Sequence, residues 1–218
     1  MKLARLFIFI ALIISFQAKA QLPFYNEMQN FKKQDSIQPP PQHAILFVGS
    51  SSFNFWKDVQ QYFPSHTIIN RGFGGSSLPD VIRYVNDIIF PYHPKQIVIY
   101  CGENDLAGSD TVTAQTVLAR FKELFEIIRH KMQGENIAYV SIKPSPSRAS
   151  LMPKMVEANK LIKDFLSKYS GTAFINVYPL MLNANGAPMK EIFIDDNLHM
   201  NAKGYAIWQE AIEPYLVK

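Results

Sequence analysis

Residues 44–52 read Ala44-Ile45-Leu46-Phe47-Val48-Gly49-Ser50-Ser51-Ser52. Five apolar residues stopped by a glycine predict a short buried strand. Gly49 permits a tight turn, and Ser52 to Phe63 reads as a helix. The serines therefore fall on a strand-to-helix turn, where free N–H groups and partial positive charge collect. A serine-rich helix cap has the same appearance, so this stretch needs company before it means chemistry.

The pattern recurs along the chain. Thr67–Asn70, Gln96–Cys101, Ile137–Ile142 and Thr172–Val177 are further short apolar runs. Between and after them, Leu78–Phe90, Val112–Met132, Pro153–Tyr169 and Ala202–Leu216 carry apolar residues at helical spacing, with Asn201 as N-cap of the last. Strands alternating with helices predict an α/β fold with a parallel sheet covered on both faces. The ligand site of such a sheet lies beyond the carboxyl ends of its strands.

Chemically capable residues follow those ends. Asn70-Arg71-Gly72-Phe73-Gly74-Gly75-Ser76 follows the second strand, and its glycines let backbone N–H groups approach a ligand. A phosphate loop would need a Lys-Ser/Thr ending, which is missing. Gly102-Glu103-Asn104-Asp105 follows the third strand. There the Asn104 amide can donate to an oxyanion, although Gly, Asn and Asp also make ordinary turns. Asp195-Asp196-Asn197-Leu198-His199 precedes the last helix. A carboxylate three residues before a histidine can fold back on the imidazole and fix its tautomer. With no second His or Cys nearby, a zinc site is unsupported. Each block is weak alone, but together they fill the roles of acyl transfer without metal or cofactor.

From Ala44 to Leu216 the four blocks resemble those of the SGNH hydrolases, also called GDSL esterases and lipases. The resemblance implies a flavodoxin-like three-layer α/β/α sandwich with a five-stranded parallel sheet. It implies Ser51 as nucleophile and Asp196 and His199 as the supporting pair. It also implies an oxyanion hole made by Ser51, Gly75 and Asn104. The usual Gly-Asp-Ser is Gly-Ser-Ser here, with Ser50 at the aspartate position. The serine downstream of Ser50 still aligns with the nucleophile. The implied activity is hydrolysis of a carboxylic ester through an acyl-enzyme, with a small acyl group on a carbohydrate as first expectation. A lysophospholipase or thioesterase of the same fold is the alternative, and a non-catalytic carbohydrate-binding relative a lesser one. Trp56, Phe73, Arg71 and Arg148 are candidate substrate contacts, as are Phe53 and Phe55, and core or surface roles compete for each.

The ends of the chain complete the reading. Lys2 and Arg5 precede an apolar run from Leu6 to Phe16, and Ala18-Lys19-Ala20 follows. This is a signal-peptide pattern with cleavage before Gln21, so export to periplasm or medium is expected. The run is shorter than the roughly 20 residues of a spanning helix, so no membrane segment should remain after cleavage. Residues 21–43 read as an N-terminal arm, with Phe24, Met28 and Phe31 at helical spacing before Pro39-Pro40-Pro41. Residues 44–218 make up the hydrolase domain. The whole chain has 22 basic and 18 acidic residues; loss of Lys2, Arg5 and Lys19 leaves a net charge of +1. No basic stripe or binding motif suggests a nucleic-acid partner. Cys101 is the sole cysteine and reads as a buried small residue.

Overall fold

The computed structural model describes residues 21–218. The leader expected over residues 1–20 lies outside the described residues. Strands β1 (Ile45–Gly49), β2 (Ile68–Gly72), β3 (Gln96–Tyr100), β4 (Asn136–Val140) and β5 (Thr172–Ile175) form one parallel sheet in the order β2-β1-β3-β4-β5. The chain leaves β1 for β2 on one side and then crosses back to β3 on the other. A parallel sheet opens a crevice at such a reversal, at the carboxyl ends of the two strands concerned.

Side chains alternate along each strand, so the sheet serves two cores. Leu46, Val48, Ile97, Ile99, Ile137 and Tyr139 face one of them. Helix α7 (Ala114–Lys131) covers it with Val117, Phe121, Leu124 and Ile128, and α8 (Met152–Leu166) adds Met155, Ala158 and Ile162. Ile45, Phe47, Val98, Tyr100, Ala138 and Val140 face the other core, beneath Tyr205, Trp208 and Ile212 of α9 (Ala202–Ile212). Asn201 caps α9 through its side chain, as its position predicts.

Two expected helices are broken, each for a local reason. Ser52–Phe63 is two short helices, α2 (Ser51–Asn54) and α3 (Val59–Tyr62). The Asn70 amide reaches across from β2 and donates to the carbonyls of Phe53 and Trp56, which a continuing helix would have used itself. Leu78–Phe90 divides at Tyr84 into α4 (Leu78–Arg83) and α5 (Val85–Ile88). Tyr84 leaves helical geometry there, and its hydroxyl donates to the carbonyl of Pro23. The last helix stops at Ile212 and tightens into a turn over Glu213–Tyr215, where Pro214 cannot donate.

The arm is docked rather than loose. Its helix α1 (Tyr25–Ile37) buries Met28 in the first core, and Phe24 meets Phe73 edge-on at 5.1 Å. Asp35 binds Arg71 and accepts the Tyr92 hydroxyl at 2.6 Å.

Gly49 sits where β1 turns into the site. Its φ is +131°, and a Cβ there would lie 1.9 Å from the carbonyl oxygen of Tyr100 on β3. Gly49→Ala is expected to destabilise the protein by about 3 kcal/mol or more, since it adds strain and a backbone clash at one residue. Urea unfolding checks this, and an unchanged midpoint would refute the stated constraint.

Candidate active site

Ser51 opens α2 at the carboxyl end of β1, with Ser50 in extended geometry before it. Its Oγ lies 3.0 Å from Nε2 of His199. On the other side of the ring, Nδ1 lies 2.5 Å from Oδ2 of Asp196. An ionised carboxylate can only accept, so the ring proton sits on Nδ1. Nε2 then offers its lone pair to the Ser51 hydroxyl. Partial burial pushes the Asp196 carboxyl upward. The His199 ring and the N–H groups of His199 and Leu198 outweigh this and hold it below the usual carboxylate range.

A small hairpin presents Asp196 and His199. Phe193 and Met200 bridge antiparallel, and Ile194 N–H donates to the His199 carbonyl at 2.9 Å. At the tip, Asp196 Oδ1 accepts from the N–H groups of Leu198 and His199, and Asn197 takes φ +56°. One carboxylate thus shapes the turn with one oxygen and grips the imidazole with the other. Phe55, just past α2, lies flat on His199 with ring centroids 4.3 Å apart, and it remains half-exposed.

The glycine turn after β2 is stitched to the end of β1. Phe73 N–H donates to Gly49 O at 2.9 Å, and the buried Ser76 hydroxyl lies 3.1 Å from the same carbonyl. Gly75 has φ +80°. Among the described residues, neither the Gly75 nor the Ser51 N–H donates to a protein acceptor. From α6 (Glu103–Ala107) the Asn104 amide donates to Ser50 Oγ at 2.7 Å and to Ser76 O at 3.0 Å.

Beneath Asn104 lies a buried ionic cluster that the sequence did not reveal. Glu103 accepts from the Tyr100 hydroxyl at 2.5 Å and pairs with Lys143 at 3.1 Å and Arg148 at 3.2 Å. Burial alone would raise Glu103, but Lys143 and Arg148 hold its carboxyl below the ordinary range. Burial lowers Lys143, whose ammonium also donates to the Leu198 carbonyl at 2.8 Å. The only sequence signal was a charged Lys143 directly after an apolar strand.

Trp56 and Phe53 are fully buried, with Trp56 stacked on Tyr205, so both belong to the core. Phe73 is likewise sealed between Phe24 and Tyr84. Arg71 turns away to Asp35 and Tyr92, where it fastens the arm. Of the six candidate contacts, Arg148 and Phe55 reach the site, Arg148 through Asn104 and Glu103 and Phe55 by stacking on His199. Cys101 is buried, and burial pushes its thiol well above the ordinary range.

A serine, a histidine and a carboxylate in hydrogen-bonded line, at a parallel sheet's reversal point, define a site for acyl transfer. The model of the GDSL-like Lipase/Acylhydrolase family matches residues 45–207, and the chain belongs to that family of ester-hydrolysing enzymes. A search of curated proteins found no match. Solved structures share the fold. A candidate platelet activating factor from Streptococcus pneumoniae is 21% identical with a TM-score of 0.77, over 88% of this chain and 92% of that one. A candidate acylhydrolase from Bacteroides fragilis is 19% identical with a TM-score of 0.75, over 88% and 96%. A carbohydrate esterase of family 3 from Talaromyces cellulolyticus is 13% identical with a TM-score of 0.62, over 78% and 94%.

The ionic cluster carries a pH signature. Glu103→Gln leaves Lys143 a buried charge without its main partner, at an expected cost of about 3 kcal/mol at pH 7. A carboxyl lowered by folding stabilises above its unfolded pKa, near 4.3. That contribution is lost as pH falls through the lower folded value. The gap between wild type and variant should therefore close in acid. Urea melts at pH 7 and pH 3.5 test it, and a gap that widens in acid would contradict the assignment.

Proposed function

We propose that this chain is an exported serine esterase that removes a short acyl group, foremost acetyl, from a carbohydrate hydroxyl. The observation that carries the chemistry is the Ser51–His199–Asp196 line. Ser51 Oγ attacks the ester carbonyl carbon while His199 Nε2 takes its proton. The N–H groups of Ser51 and Gly75 and the Asn104 amide receive the oxyanion. Collapse breaks the bond to the alcohol, and His199 returns the proton to that leaving oxygen. Water, deprotonated by the same imidazole, then releases the acid and frees Ser51.

Three features support the carbohydrate reading. The depression beside Asp196 is lined by Pro146, Ser147, Lys190 and Asn197, which set polar groups beside apolar surface, as a sugar ring requires. Phe55 offers a half-exposed aromatic ring next to the base that must protonate the leaving alcohol. A carbohydrate esterase shares the fold. Export is supported by the leader pattern of residues 1–20.

Ser51→Ala should lower turnover by about 10⁴-fold or more, and fluorophosphonate labelling should disappear with it. Labelling that persists would move the nucleophile to Ser50 or Ser52. Nitrophenyl esters from acetate to long chains, beside an acetylated oligosaccharide and a lysophospholipid, test the substrate. Acetate and the acetylated sugar should be turned over fastest, and a preference for long chains or lysophospholipid would overturn the carbohydrate reading.

A further inference from the structure

We propose that Arg148 is a positioning residue of the reaction, which sets the Asn104 amide so that its nitrogen, not its oxygen, faces the oxyanion. This rests on the serine esterase reading above. The two ends of an asparagine amide are nearly the same size, so packing alone does not choose between them. The neighbours of Asn104 choose. A guanidinium only donates, and Arg148 Nη2 lies 2.9 Å from Asn104 Oδ1. A carbonyl only accepts, and Ser76 O lies 3.0 Å from Nδ2. Turning the amide over would set donor against donor and acceptor against acceptor at once. Ser50 Oγ, 2.7 Å from Nδ2, can donate or accept and so does not decide the matter. It holds the second Nδ2 hydrogen in the free enzyme, and the oxyanion takes over or shares that bond.

Arg148 is itself held. Its Nη1 pairs with Glu103 Oε1 at 3.2 Å, and its side chain is only 20% exposed. One edge of the fork is anchored in the buried cluster while the other grips the amide. A charged donor on Oδ1 also polarises the amide, which strengthens the Nδ2–H groups as donors. This differs from a direct substrate contact, the role the sequence suggests for Arg148. A substrate contact acts on KM, whereas an oxyanion donor matters most in the transition state.

The test is a double-mutant cycle on the full chain with nitrophenyl acetate, alongside the rate of Ser51 phosphonylation by a fluorophosphonate. Asn104→Ala should lower kcat by roughly 10²- to 10³-fold. Arg148→Ala should lower kcat and the phosphonylation rate together, by about 10-fold or more, with KM within about twofold. In the Asn104→Ala background, Arg148→Ala should cost no more than about twofold further, because the two act as one unit. Arg148→Lys should restore part of the loss, since an ammonium can bond Oδ1 but cannot also fork to Glu103. Should Arg148→Ala fail to fold, Arg148→Gln carries the same comparison in both backgrounds. Full additivity in the cycle, or a raised KM at unchanged kcat, overturns the proposal. A wild type that neither labels nor turns over ester would instead defeat the esterase reading. A wild type that labels, with Arg148→Ala labelling equally fast, defeats the positioning role alone.

Discussion

The peptide group between Gly49 and Ser50 holds the site together. Its N–H donates to Tyr100 O at 2.9 Å, which ties the first residue past β1 to the last of β3. Its carbonyl takes the Phe73 N–H and lies 3.1 Å from the Ser76 hydroxyl, which ties it to the turn after β2. Three strand ends therefore converge on one peptide unit, and each brings a part of the candidate acyl-transfer site. Ser51 follows on one side, Gly75 is carried by the turn, and Asn104 stands past β3. The close approach needed for this leaves no room for a side chain at residue 49. A backbone device of this kind suits a site whose donors must be fixed before charge develops.

The second support is ionic. Glu103 and Lys143 are both buried, and taking two such charges from water is costly enough that an apolar pair would often be as stable. Their other bonds show what the charges do here. Glu103 is gripped by Tyr100 and Arg148, and through Arg148 its position is linked to the Asn104 amide. Lys143 reaches the Leu198 carbonyl, one residue before His199. One buried carboxylate thus stands between the oxyanion side of the site and its base. An apolar pair at these positions could fill the space but could not bond to either side.

Much of this was legible in the sequence, for physical reasons. Central strands buried on both faces must be apolar throughout, so β1 and β3 announced themselves and the parallel sheet followed. The four blocks with Ser51, Gly75, Asn104 and Asp196–His199 stood after strands or before a helix, where the topology does bring them together. The failures lie where a side chain's direction decides. Trp56 and Phe73 flank the blocks in sequence, yet their rings are in the core. Arg71 lies on β2 beside the glycine turn, and it faces the arm. The break between α2 and α3 depends on Asn70, which is distant in sequence and captures two helix carbonyls. Local periodicity contains none of that information.

The two halves of the site are built differently, and the difference bears on specificity. Ser51, Gly75 and Asn104 follow within four residues of the ends of β1, β2 and β3. Asp196 and His199 ride on a hairpin tip, where the Asp196 side chain is 41% exposed. The tip is pinned by Lys143 at Leu198 and by Ser147 N–H at the Asn197 carbonyl. In the proposed mechanism the nucleophile and oxyanion donors act on the acyl carbon, which every ester shares. The histidine there acts on the leaving oxygen, whose alcohol differs from ester to ester. Phe55, Ser147 and Lys190 stand on that second side. Sequence change there can alter the alcohol accepted without disturbing the peptide unit on which the acyl chemistry depends. On that mechanism the acyl chemistry is readable from a few short blocks, and the choice of alcohol falls to the loops around the hairpin.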